Sequence, residues 1–322
     1  MNVLVTGGAG FIGSHLVNYL HDHDYILYVL DDESNVNPHS IQRVRELKNV
    51  TLINGTVLDR ALIENLVKKV DFCFHLAASL GVANIHKDPI KSLESNIIGS
   101  KNVLTATADL GIRTIYASSS EVYGKNLDIP LNEESDRVLG SPKIPRWSYS
   151  EAKAMGEQYA FELHKKKSLP VTIARFFNTV GPRQSGSYGM VLPRFVKAAI
   201  SNQSLTVYGD GTQSRTFCSV KDVVDALVLL MGSKESIGQA FNIGSTDEIT
   251  IGELAQKVIK LTNSTSEIIY KKHSEVFGDH FEEPQRRVPD ISKIKKVVGW
   301  QSKQSLDEVI IEIAEYFKAN EA

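Results

Sequence analysis

The stretch "NVLVTGGAGFIGSHLVNYLH", residues 2–21, decides how the chain folds. It opens with a short β-rich run over 2–6, passes through a glycine turn, and continues with apolar residues at 12, 16, 17 and 20. The first run reads as a strand and the last set has helical spacing. Between them Gly7, Gly10 and Gly13 stand at the spacing G-x-x-G-x-x-G. Glycines let backbone approach a pyrophosphate, and the helix N-terminus after them offers N–H groups and partial positive charge. A glycine triplet alone equally marks a tight turn. Its place after a strand and at the opening of a helix is the context that a dinucleotide site requires.

Outward from this turn, strand and helix signals alternate. "YILYVLD" (25–31), "VTLING" (50–55), "VDFCFHLAA" (70–78), "RTIYASSS" (113–120) and "LPVTIARFFN" (169–178) are near-continuous apolar runs separated by helical segments. Strands of that kind are buried on both faces, which predicts a parallel sheet. Right-handed crossovers make it an α/β, doubly wound, Rossmann-type sheet. After about residue 178 the rhythm loosens, with polar loops at 178–189 and 277–290. The expected division is a dinucleotide domain over 1–178 and a smaller C-terminal α/β substrate-binding lobe over 179–322, with segments free to cross back.

Asp31 ends the second strand, about 20 residues past the glycines, where a carboxylate accepts from the adenosine ribose hydroxyls and repels a 2′-phosphate. That favours NAD over NADP. Its neighbour Asp32 reads as a solvated loop residue. Asp59 reads equally as an adenine contact or as a helix N-cap.

The 322 residues are 42% hydrophobic and 23% charged with a formal net charge of −2, as in an ordinary globular chain. Nothing in that balance favours nucleic acid or an anionic membrane surface. Cys73 and Cys218 read as buried thiols in a reducing compartment. No apolar run reaches the length of a membrane span, and the first residues lack the signature of a signal peptide. A cytoplasmic protein without a metal site is expected.

Two features carry chemistry. "YSEAK" places Tyr149 and Lys153 on one helix face, where an ammonium beside a phenol favours the phenolate and lowers the tyrosine pKa. "SSSEVYGK" (118–125) puts a carboxylate, Glu121, behind three hydroxyls at the end of an apolar strand, where a free carboxylate is costly.

Taken together, "TGGAGFIG", "HLAA", "SSSEVYG", "YSEAK", "RFFNTVGPR" and "RRVPD" resemble the extended short-chain dehydrogenase/reductases, in the nucleotide-sugar branch of 4-epimerases, 4,6-dehydratases and uronate decarboxylases. The motifs run in family order over nearly the whole chain. The resemblance implies NAD held by Gly7, Gly10, Phe11, Ile12, Gly13, Asp31, Asp59, Ala77 and Ala78, with Tyr149 and Lys153. It implies that Tyr149 takes the sugar O4 proton while hydride leaves C4, that Ser119 hydrogen-bonds O4, and that Lys153 also binds the nicotinamide ribose.

The fate of the 4-keto sugar separates the members. Dehydratases of the family carry an Asp-Glu pair where this chain has Ser120-Glu121, which argues against dehydration. "S-E-V-Y-G" resembles the uronate decarboxylases, in which the glutamate acts at C5 after loss of CO₂. "KIPRWSYS" resembles the segment before their catalytic tyrosine, with Arg146 as a substrate contact. "EEPQRRVPDISKI" resembles their arginine loop, in which Arg287 matches a proton donor; a diphosphate clamp is the other reading of that arginine. The stretches "SSSEVYGK" and "GPRQSGSYGMVLPRF" are also similar to those of UDP-sugar 4-epimerases, so 4-epimerisation stands as the alternative. A decarboxylase acting on a related hexuronate, for example an N-acetylated one, is a third reading, and a non-catalytic NAD-binding regulator a fourth.

At the nucleotide end the resemblance implies diphosphate contacts from Asn178 and Arg215, a base bordered by Val207 and Tyr208, and UDP as the family's usual nucleotide. Segment 80–88 falls where relatives line the sugar pocket. Helices 92–110 and 149–167 resemble those that pair across a family homodimer.

Overall fold

The computed structural model describes residues 1–34, 36–79, 88–184, 190–272, 282 and 284–320. Six strands within the first 178 residues, β1 (Asn2–Thr6), β2 (Ile26–Asp31), β3 (Val50–Asn54), β4 (Phe72–His75), β5 (Arg113–Ser119) and β6 (Val171–Phe176), lie in one sheet. A seventh strand, Gln239–Ile243, joins β6 at the edge, giving the order (239–243)-β6-β5-β4-β1-β2-β3. Every pairing is parallel, as the unbroken apolar runs require. Chain order reverses between β1 and β4, so a crevice opens at their carboxyl ends, where ligands bind in sheets of this kind.

Residues of β1 point to opposite faces. Val3 and Val5 pack with Leu16, Val17 and Leu20 of the helix Phe11–Asp22 and with Val223, Leu227 and Leu230 of the helix Val220–Gly232. Leu4 packs with Cys73, Ile63 and Val103 on the other face. There the helices Arg60–Val67, Ser100–Asp109 and Arg146–Lys167 complete the cover. Each such side chain removed from water contributes roughly 1.5–3 kcal/mol.

A second core lies outside the sheet. Leu192, Phe195 and Val196 of the helix Val191–Ile200 meet Leu254 and Val258 of Ile251–Thr262 and Ile310, Ile313 and Phe317 of Leu306–Asn320. The strand Gln239–Ile243 and the helix before it come after residue 178 in sequence but build the main sheet, because Phe241 and Ile243 belong to the core of Val3 and Val5. The expected helix over 92–110 consists of Pro89–Glu94, a π-helical turn Ser95–Gly99 and Ser100–Asp109.

Candidate active site

The glycine turn is shaped by contact. Gly7 has φ +70°, and a Cβ there would lie 2.7 Å from the Ala77 nitrogen. A Cβ on Gly13 would come within 2.1 Å of the Gly7 carbonyl oxygen. The helix Phe11–Asp22 begins at Gly10 with no side chain capping it, whereas Asn37, Asp59, Asp88, Ser219 and Thr250 cap the helices they begin. Its first turn, Phe11 to Gly13, lines the cleft, so its backbone N–H groups stand where an incoming pyrophosphate would find donors.

A cleft of about 230 Å³ runs over this turn and is lined by Gly7, Gly10, Phe11, Ile12, Gly13, Asp31, Ala77, Ala78, Tyr149 and Lys153. Asp31 is 8% exposed and accepts from the N–H groups of Ala9 and Glu33, at 3.0 Å each. Burial raises its pKa and those two bonds oppose the rise. These residues fit a dinucleotide with a free ribose 2′-hydroxyl.

Two expectations at this end are resolved by hydrogen bonds. Asp59 is the N-cap of the helix Arg60–Val67, accepting from Leu62 N at 3.0 Å, and Thr56 and Val57 take its expected place along the cleft. Asp32 accepts from the N–H and hydroxyl of Ser34, holding the turn, and also reaches the cleft wall.

Tyr149 and Lys153 rise from one face of the helix Arg146–Lys167, with Lys153 Nζ 5.9 Å from the Tyr149 ring centre. Lys153 is 2% exposed and donates to the Ala117 carbonyl at 2.8 Å. Burial brings its pKa down to about 8, and Glu157 pulls the other way. The expected lowering of the Tyr149 pKa is not found. Burial and then the Glu121 charge raise it, and only a hydrogen bond with Ser119 opposes them. In this state the phenol is protonated. Ser119 also accepts from Glu121 N at 3.2 Å, capping the 3-10 turn Ser120–Tyr123. Ser120 is buried.

Glu121 does not stand free. Arg287 donates to it at 2.6 and 3.5 Å and also donates to Gly124 O at 3.4 Å; Arg146 lies 3.5 Å away. Burial works against the charge on Glu121, but Arg287 and then Arg146, with Arg215 farther off, outweigh it and hold the pKa at about 2. The loop carrying Arg287 is fastened on both sides. Ser214 N donates to Gln285 O, Arg286 grips Glu248 at 2.7 Å, and Val288 O accepts from Leu131 N.

The expected nucleotide contacts divide. Arg215 donates to the carbonyls of Ser214 and Gln285, so it braces the Arg287 loop. Asn178 donates to Thr216 O at 2.9 Å. Tyr208 packs under the Arg194 guanidinium at 4.5 Å. Val207 is fully buried in the second core, so its side chain borders no base. Within the segment 80–88, residues 80–87 lie outside the described residues. Arg183 and Gln184 also line the cleft; they sit at the end of "RFFNTVGPRQ", a stretch whose motif character pointed to Asn178 but not to them.

The pattern of the NAD dependent epimerase/dehydratase family matches residues 3–244. The chain is 38% identical over 317 residues to UDP-N-acetyl-alpha-D-glucosaminuronate decarboxylase of Bacillus cytotoxicus, covering 98% of this chain and 97% of that one. It is 35% identical to UDP-glucuronic acid decarboxylase 1 of Xenopus tropicalis over 318 residues, 98% of this chain and 72% of that one. Among solved structures, UDP-glucuronic acid 4-epimerase from Bacillus cereus, in complex with UDP-glucuronic acid and NAD, matches with a TM-score of 0.88 at 27% identity, covering 99% of each chain. With its glycine turn, Asp31, and the Tyr149–Lys153 pair in one cleft, the chain belongs to the NAD dependent epimerase/dehydratase family.

Proposed function

We propose that the protein decarboxylates a UDP-hexuronate, UDP-glucuronate or its N-acetylated relative, through a 4-keto intermediate to the corresponding UDP-pentose. The observation that carries this reading is the Glu121 carboxylate, clamped by Arg287 and Arg146 beside Ser119 and Tyr149. NAD, when bound, supplies a hydride acceptor and a positive charge.

Tyr149, hydrogen-bonded to Ser119, is placed to take the O4 proton, and a cation in the cleft would favour its phenolate. A C4 ketone is β to the C6 carboxylate, so breaking the C5–C6 bond sends the electron pair to O4. Ser119 and Tyr149 stabilise that charge by hydrogen bonding. C5 then gains a proton, and C4 regains the hydride it lost while Tyr149 returns the proton to O4, which gives the UDP-pentose. Glu121 is ionised at neutral pH and serves as the base that orients Arg287, the proton-bearing group at that end. Epimerisation at C4 leaves this ion pair without a chemical task.

The 4-epimerase reading keeps its support from the likeness to the Bacillus cereus structure. Incubation with NAD⁺ and each UDP-hexuronate, with products read by mass spectrometry, tests the two. Loss of CO₂ from the product supports decarboxylation, and a product of unchanged mass overturns it.

A C2 homodimer through the helical segments 92–110 and 149–167 is part of the same proposal, supported by the exposed apolar side chains of Ile98 (45%) and Met155 (52%). Light scattering that gave a monomer mass would remove it. Two free, buried cysteines fit a cytoplasmic setting. Among the described residues no helix is long and apolar enough to cross a membrane.

A further inference from the structure

Four residues beyond Lys153, on the same helix face, stands a carboxylate that the proposed reaction does not use. Glu157 is 5% exposed. It accepts from the Ser118 hydroxyl at 2.5 Å and from Arg175 at 2.9 and 2.6 Å in a two-pronged pair. Arg175, on β6, donates further to the Tyr123 hydroxyl and the Glu133 carbonyl, at 2.8 Å each. Tyr123 in turn donates to Asn242 at 2.7 Å, on the strand Gln239–Ile243. The carboxylate is therefore fixed directly from two strands of the sheet, and through Arg175 and Tyr123 the network reaches a third. Ser118, its hydroxyl partner, lines the cofactor cleft.

We propose that Glu157, fixed by Arg175 and Ser118, is a positioning residue whose carboxylate is the counter-charge that keeps Lys153 an ammonium while it works beside Tyr149. The inference rests on the reading of Tyr149 and Lys153 as the reacting pair.

The surroundings of Lys153 leave little else for that task. Its own helix presents Tyr149 and Glu157. β5 presents the Tyr116 ring at 5.1 Å and the Ala117 carbonyl. β4 presents His75, which burial and then Lys153 push down to about 3, so it is neutral. Glu121, on the 3-10 turn, bears on Tyr149. Glu157 stands one helical turn from Lys153 on the same face, and its charge pulls the lysine pKa upward against burial. A buried ammonium without a counter-charge loses its proton readily. Arg175 fixes where the carboxylate points and carries the opposite charge one step farther away.

Glu157→Gln and Glu157→Asp test this, each first checked for folding by circular dichroism. In protein carrying ¹³Cε-lysine, the Lys153 resonance is assigned with Lys153→Arg and titrated. The Glu157→Gln transition is expected to move down by about one pH unit or more from that of the unaltered chain. The alkaline limb of kcat/KM should move with it, and Glu157→Asp should restore both. A folded Glu157→Gln protein whose Lys153 titrates as before overturns the proposal, whatever its turnover. If the unaltered chain turns over no UDP-hexuronate, the functional reading fails while the titration still decides this one.

Discussion

At the residue scale the proposed chemistry turns on Glu121. A strand-end carboxylate is costly alone, and this one is held by two arginines, one distant in sequence and one closer. Arg287 lies 166 residues away, so the pair is legible in the sequence only as a motif resemblance and not as a contact. Glu121→Gln should still reach the 4-keto stage but stall afterwards, lowering overall turnover by about 10²–10⁴-fold. A single-turnover assay that follows NADH formation and its reoxidation checks this; full turnover would make Glu121 structural. The depressed pKa also sets a direction for stability. The folded value of about 2 lies below the ordinary 4.5, so the pairing stabilises the fold above pH 4.5 and that contribution fades as pH falls toward 2. The melting temperatures of the unaltered chain and Glu121→Gln should therefore converge across that window. For the Tyr149 pKa, by contrast, spacing alone misleads. A period of four brings Lys153 near, but burial and the Glu121 charge are invisible to a helical wheel and decide the sign.

At the scale of single elements, the glycine turn is readable because chemistry and geometry coincide there. Gly13→Ala would press a Cβ into the Gly7 carbonyl, and loss of NAD binding is expected by calorimetry. Asp59 shows the limit of such reading: a carboxylate after a strand serves a ligand or a helix cap, and only the Leu62 N–H decides. Val207 shows another, since alternating residues of one strand face a core or a ligand according to what packs on them. On the helix Arg146–Lys167 the ion pair of Glu157 with Arg175 is buried, so Arg175→Ala should cost about 3–5 kcal/mol by leaving a carboxylate unpaired. Urea denaturation measures that loss; a change under about 1 kcal/mol would mean that water enters the site readily.

At the scale of the molecule, the run of apolar strands is enough to predict the parallel sheet but not its closing strand, because "AFNIG" falls after the rhythm has changed. Nothing local says that Phe241 packs with Val3 and Val5 rather than with the second core. The fragment 1–178 lacks that strand and the covering helix Val220–Gly232, and should fail to give a cooperative melt on its own. The Arg287 loop likewise returns over the 3-10 turn that follows β5, where Arg287 pairs with Glu121. That this junction performs chemistry at C5 is tested most directly by running the reaction in D₂O and reading the product by NMR. Decarboxylation predicts a UDP-pentose lacking the carboxyl group and carrying one deuterium at C5. A product that keeps its carboxyl group, with hydrogen at C5 and inverted C4, would contradict it.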